Sequence, residues 1–202
     1  MIKYLMTLFV FFFCVQYADV WASLQQKHYG IKCSPQLQSC LKAIQKLPEA
    51  KNLIDAILSK GPLQILAKKA ALAQQFGACW DPSDRIILID LSSHRSEGEL
   101  IGSILFELHN ALTTSEFDRL DALAENRQIS KNKYVESKER LEYENSLQAA
   151  AMAEKGIQSK LIPASSRLHV YDSFKEYYYY QKKSGHSANF LEAYDRLASK
   201  KF

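Results

Sequence analysis

The 202-residue sequence carries little charge of one sign in excess: 26 lysines and arginines stand against 22 aspartates and glutamates, a formal net charge of +4. The lysines are spread along helical stretches rather than clustered with aromatics, which excludes the basic stripe that nucleic-acid binding needs. Long apolar runs are scarce too. The one near-continuous run, Leu5 to Val15, is shorter than the ~20 residues required to cross a bilayer, so no stable membrane span is expected. Cysteine is sparse, with four residues in all, and the loop histidines His94 and His169 lack the spacing of a compact metal site.

The start of the chain reads as an address. Lys3 supplies a positive end, the Leu5 to Val15 run follows, and Val20-Trp21-Ala22 resembles the small-x-small pattern before a cleavage point. Phe11-Phe12-Phe13 before Cys14 does not resemble a lipoprotein box. Residues 1–22 are therefore expected to be a signal peptide, and the protein to be exported, secreted or periplasmic. Lys3 and Asp19 cancel within that segment, so the remainder stays mildly basic. Roughly 180 residues remain, enough for one domain with a sizeable core over 23–202.

Cys33, Cys40 and Cys79 survive cleavage, and an odd count leaves a free thiol or an intermolecular bridge. Ser34-Pro35 reads as the cap and first turn of a helix. Cys40 would then lie about two turns beyond Cys33, roughly 10 Å along the axis, whereas a bridge needs α-carbons within about 7 Å. Only a chain that folds back before Ser34 would allow that pair. Cys79 falls in a short strand, Ala78 to Trp80, and reads as a small buried hydrophobe rather than a nucleophile.

Periodicity predicts a helix over Pro48 to Ser59 and strands over Leu63 to Leu66, Ala78 to Trp80 and Arg85 to Asp90, while Ala67 to Gln75 is ambiguous between helix and sheet. A charged helix and loop follow over Ser115 to Lys133, then a long helix over Ser137 to Lys155 ended by Gly156. Leu161 to Tyr171 reads as a connection, and two helices broken around Ser184-Gly185-His186 close the chain. The run Tyr177 to Tyr180 must point all around the first of these, burying some rings and exposing others.

The stretch from Gly77 to Leu112 organises the rest. Asp81-Pro82-Ser83-Asp84 is a turn cluster, the apolar Arg85 to Asp90 strand follows, and Ser96 with Glu97 and Glu99 opens a helix. On that helix Leu100, Ile101, Ile104, Leu105, Leu108, Ala111 and Leu112 gather on one side. Phe106, His109 and Asn110 fall on the other, with Glu107 at the border. Taken alone, such polar residues opposite an apolar stripe are expected to face solvent. Phe106 is the exception, and it is expected to line a cleft with Asn110.

Glu107-Leu108 followed by Asn110-Ala111, set after a Trp-Asp-Pro turn and an apolar strand, resembles the zincin metallopeptidases, whose active helix carries His-Glu-x-x-His. The resemblance covers roughly a third of the chain, and a degenerate motif carries less weight than an intact one. It implies an α+β fold: a mainly helical single domain with a small three-stranded sheet packed on a zincin-like active-site helix. It also implies that Glu107 holds the general-base position and that Phe106 and Asn110 replace two metal-binding histidines. Phe106 has no lone pair to donate, and Asn110 offers a neutral amide oxygen better suited to calcium than to zinc. Zincins often take a third ligand from a later helix, where Glu142 or Glu144 would serve.

These residues lead to the expectation of a catalytically inactive zincin-like protein that acts by binding a protein or peptide through Phe106, His109 and Asn110, with no cofactor. An alternative is an active metal-dependent hydrolase with a non-standard set, zinc on His109 with Glu142 or Glu144. A third is a helical secreted interaction module unrelated to zincins. If the address is cleaved, N-terminal sequencing of protein recovered outside the cytoplasm begins near Ser23. Intact Met1 in a membrane fraction would mean an anchor instead.

Overall fold

The computed structural model describes residues 30–69, 71–92 and 96–199. The expected signal peptide and His94 lie outside them. Strands β1 (Ile31–Cys33), β2 (Leu63–Ala67), β3 (Ala78–Asp81) and β4 (Ile86–Ile89) form one sheet in the order β1-β2-β4-β3. Four strands, not three, make the sheet, because the short β1 pairs in parallel with β2 through Ile31, Lys32 and Cys33. Three residues carry too little periodicity to be read as a strand without that partner. β2 and β4 are parallel, and β3 turns back antiparallel along β4 as the edge strand.

Parallel neighbours require crossovers, and helices supply one of them. Between β1 and β2 lie a 3₁₀ turn (Pro35–Leu37), α1 (Gln38–Ile44) and α2 (Pro48–Leu58). The expected Ser34 cap is not made. Its hydroxyl accepts from the Ala67 amide at 3.1 Å, tying the turn to β2 instead. Ala71–Phe76, within the ambiguous stretch, forms the short helix α3. The β3–β4 turn is fixed by the Asp81 carboxylate, which accepts from the amides of Ser83 (2.9 Å) and Asp84 (3.4 Å). Arg85, at φ 54°, then sends its guanidinium back to the carbonyls of Ile57 and Pro62 at the end of α2.

α4 (Glu97–Leu112) begins with a reciprocal cap: Ser96 Oγ accepts from the Glu99 amide at 3.2 Å, and Glu99 Oε2 accepts from the Ser96 amide at 2.9 Å. Two orphan donors are satisfied at once. The inward residues of the sheet, Leu63, Ile65, Ile87 and Ile89, share a fully buried core with Ile101, Ile104, Leu105 and Leu108 of α4 and with Ala149 and Ala153 further along the chain. Alternation along β4 leaves Ile86 and Leu88 half-buried on the other face.

Helices α5 (Thr114–Glu125), α6 (Lys131–Gln158), α7 (Phe174–Ser184) and α8 (His186–Ser199) follow. α6 runs straight through Gly156 instead of stopping there. A Cβ at that glycine would meet Leu47 Cδ2 at 2.8 Å and Ile162 Cδ1 at 2.9 Å, so the residue serves close packing rather than a cap. At 28 residues, α6 is about 42 Å long, enough to serve two cores. Its C-terminal half packs in the sheet core, and its N-terminal half carries Tyr134 and Val135 into a second cluster with Leu120, Ala124, Phe190 and Tyr194. In the tyrosine run Tyr177 is buried, Tyr178 half-buried, and Tyr179 and Tyr180 exposed. Among the described residues no helix is long and apolar enough to cross a membrane.

α4 is buried on nearly every side. The segment after α6 crosses it so closely that a Cβ on Gly98 would lie 2.6 Å from the Ser165 carbonyl carbon and 2.7 Å from the Ser166 nitrogen. Backbone cannot swing aside as a flexible side chain can. Gly98→Ala is therefore expected to cost about 1 to 3 kcal/mol through overpacking, outweighing the ~1 kcal/mol by which alanine is the better helix former. A urea titration checks this, and an unchanged midpoint would show that the crossing segment yields.

Candidate functional site

A cleft of about 240 Å³ opens between the two cores. α4 contributes Phe106, Glu107 and Asn110, and β3 contributes Cys79 and Trp80. The far side is formed by α5, α6 and α8, including Lys138, Glu142 and His186. Phe76, Trp80, Phe106, Phe117 and Phe190 give it aromatic walls.

Of the residues singled out in the sequence, the structure brings together Phe106, Glu107, Asn110 and Glu142. His109 does not join them. It is buried elsewhere on α4, its Nε2 has no hydrogen-bond partner, and desolvation lowers its pKa. Glu144 is exposed and away from the cleft, and His169 is exposed, edge-on to Tyr171. The reading of the helix taken alone, with Glu107, His109 and Asn110 facing solvent, does not hold, since all three are buried. The crossing segment over Gly98 and Gly102 and the packing of α6 cover the side of α4 that its periodicity assigned to water.

Burial forces those polar groups to find partners. Asn145 of α6 donates through Nδ2 to Asn110 Oδ1 and to Thr113 Oγ1, both at 2.8 Å. Asn110 Nδ2 in turn donates to Glu107 Oε2 at 3.1 Å, and the Trp80 backbone also bonds to that carboxyl. Both ends of the Asn110 amide are thus engaged within the protein. Zinc does not fit the motif positions: Phe106 has no donor atom, the Asn110 oxygen is taken, and α4 sends no imidazole into the cleft.

Desolvation, reinforced by nearby Glu142, pushes the Glu107 pKa up to about 8 against the partial relief from Asn110. Desolvation and Glu139 likewise raise Glu142 to about 7, although His186 opposes them. Burial alone would lower the pKa of His186, but Glu142, Glu139 and Glu107 together carry it up to about 9. Its ring lies 3.1 Å from Glu139 through Nδ1 and 3.3 Å from Glu142 through Nε2, wedged edge-on between Phe76 and Phe190. Lys138, also buried, pairs with Asp121, donates to the Phe117 carbonyl at 3.0 Å and lies over the rings of Phe117 and Tyr134.

Glu139 and His186 are the residues that motif reading missed. Glu139 and Glu142 are three apart on one helix, a spacing visible in sequence, but nothing in sequence links them to a histidine more than forty positions later. Neither Cys33 nor Cys40 is bridged, and burial raises both thiols. Cys79 is half-buried on the cleft wall, and burial together with Glu107 and Asp81 pushes its thiol up to about 11, far from the thiolate a nucleophile needs.

No protein-family model matches the chain, and no curated protein or solved structure is significantly similar to it.

The Glu107 carboxyl binds a proton in the folded state up to about pH 8, whereas its ordinary value is 4.5. That proton stabilises the fold fully below pH 4.5, and the contribution is lost as pH rises to about 8. Glu107→Gln stays neutral and removes this dependence. Relative to the wild type, the variant is expected to gain on the order of 3 kcal/mol between pH 5 and pH 8, at about 1.4 kcal/mol per pH unit. Denaturant titrations at the two pH values measure it, and parallel behaviour of the two proteins would mean that Glu107 is ionised.

Proposed function

We propose that the chain is an exported, catalytically inactive zincin-like protein whose cleft binds an aromatic or aliphatic side chain of a protein or peptide partner. The observation that carries the reading is the position of Phe106. It lines the cleft beside Glu107, where the motif would place a metal-binding histidine, and the second such position, Asn110, is tied to Asn145. The turn, strand and helix on which the resemblance rests are formed in that order, and the edge strand β3 borders the cleft beside the motif helix.

The chemistry of the walls defines what the cleft takes. Five aromatic rings favour an apolar insert, in the manner of a buried anchor residue at an interface. Asn189 adds a polar requirement: its Nδ2 is buried at the cleft with no partner, so an incoming peptide carbonyl gives it an acceptor. The neutral Glu107 carboxyl can donate or accept at the base.

A second reading, a metal-dependent hydrolase with a non-standard ligand set, is favoured by one observation: Glu142 and His186 line the same cleft as Glu107. One experiment separates the two. In a mixed peptide library, the wild type is expected to retain peptides carrying Phe, Tyr or Leu without cleaving them, and Phe106→Asp is expected to lose that retention at least tenfold. Cleavage that disappears in Glu107→Gln would establish the hydrolase and overturn the binding reading.

A further inference from the structure

The side chains of α6 and α8 that border the cleft form a group which the binding reading does not use. Glu139 and Glu142, one turn apart on α6, and His186, first residue of α8, each offer one ligand atom, and those atoms all lie within 4.8 Å of one another. We infer that Glu139, Glu142 and His186 form a binding site for one divalent transition-metal ion of the zinc type. The site is built from residues other than the motif positions 106 and 110 and does not depend on the zincin comparison.

Glu139 supplies the observation that points to a ligand. It is fully buried, and its two oxygens are used unequally. Oε1 accepts from the Ser187 hydroxyl at 2.6 Å and meets His186 Nδ1 at 3.1 Å, while Oε2 is buried with no hydrogen-bond partner. A buried carboxylate oxygen left unpaired is costly, and a cation satisfies it. Two carboxylates balance the charge of a dication once the imidazole gives up its proton, as metal binding to a histidine requires.

The surroundings hold the donors in place. Tyr177 donates to Glu142 Oε2 at 3.5 Å, Ser187 fixes Glu139, and Phe76 and Phe190 restrict the His186 ring. Such supporting contacts orient ligands and sustain affinity. The donor set selects the metal class. An imidazole nitrogen beside two carboxylates suits zinc and its neighbours, whereas calcium and magnesium prefer all-oxygen shells. Three protein ligands leave at least one coordination position free. Because Glu142 and His186 line the cleft, that position is open to a bound partner.

The test uses the full purified chain, stripped with a chelator and titrated with zinc chloride by calorimetry. One zinc per chain is expected, with a rise in melting temperature as metal is added. His186→Ala and Glu142→Gln are each expected to weaken zinc binding at least tenfold and to remove the melting shift. His109→Ala and Glu144→Gln are expected to leave it unchanged. Glu139 is fully buried, so the variants chosen avoid it, and circular dichroism verifies that each is folded. A folded wild type that takes up no zinc overturns the site, as does uptake that both His186→Ala and Glu142→Gln retain or that His109→Ala abolishes.

Discussion

Asn145 reaches from α6 to the Asn110 amide on α4, and Asn110 passes the bond on to Glu107. This chain of two hydrogen bonds is what allows α4 to be buried on its polar side as well as its apolar one. A helix wrapped by a sheet, a long partner helix and a crossing segment has no water to solvate its polar residues, and each unpaired group would cost roughly 1 to 3 kcal/mol. The same two bonds remove Asn110 from any role as a ligand. The burial that stabilises the central helix therefore also commits the Asn110 amide within the protein.

The electrostatics of the cleft follow from that burial. Glu107, Glu139 and Glu142 approach one another in a space walled by aromatic rings, and among the described residues His186 and Lys138 bring positive charge near them. Lys138 is committed to Asp121 and the Phe117 carbonyl. The excess negative charge is relieved by proton uptake at Glu107, Glu142 and the imidazole, which is why those two acids are raised and His186 is raised with them. A cluster poised in this way is suited to a ligand that brings its own positive charge or hydrogen-bond donors.

The sequence was legible where local chemistry decides structure. The Ser96 and Glu99 cap, the Asp81 turn, the short apolar β-branched run of β4 and the break at Gly185 depend on neighbours within a few positions, and each is formed by the residues that suggested it. The sheet was less legible. β1 is three residues long and exists because β2 pairs with it, and Ala71–Phe76 became helix in a stretch whose alanines and lysines favour helix but where the resemblance called for sheet nearby. Gly156 shows how a residue type misleads: glycine often ends helices, but here it admits Leu47 and Ile162 against a helix that continues.

The candidate site divides along the same line. Composition and pattern determined by themselves that α4 is a capped helix with an apolar stripe, that Phe106, Glu107 and Asn110 are neighbours on it, and that Phe106 has no donor atom for a metal. Only the tertiary structure decided that the polar side of α4 is buried, that His109 turns away from the cleft, and that Glu142 rather than Glu144 faces it. It alone brought His186 to Glu139 and Glu142, because that contact requires α7 to double back along α6 and α8 to begin beside it. Helical periodicity specifies which residues share a face, but the surface that covers the face comes from chain segments dozens of residues away.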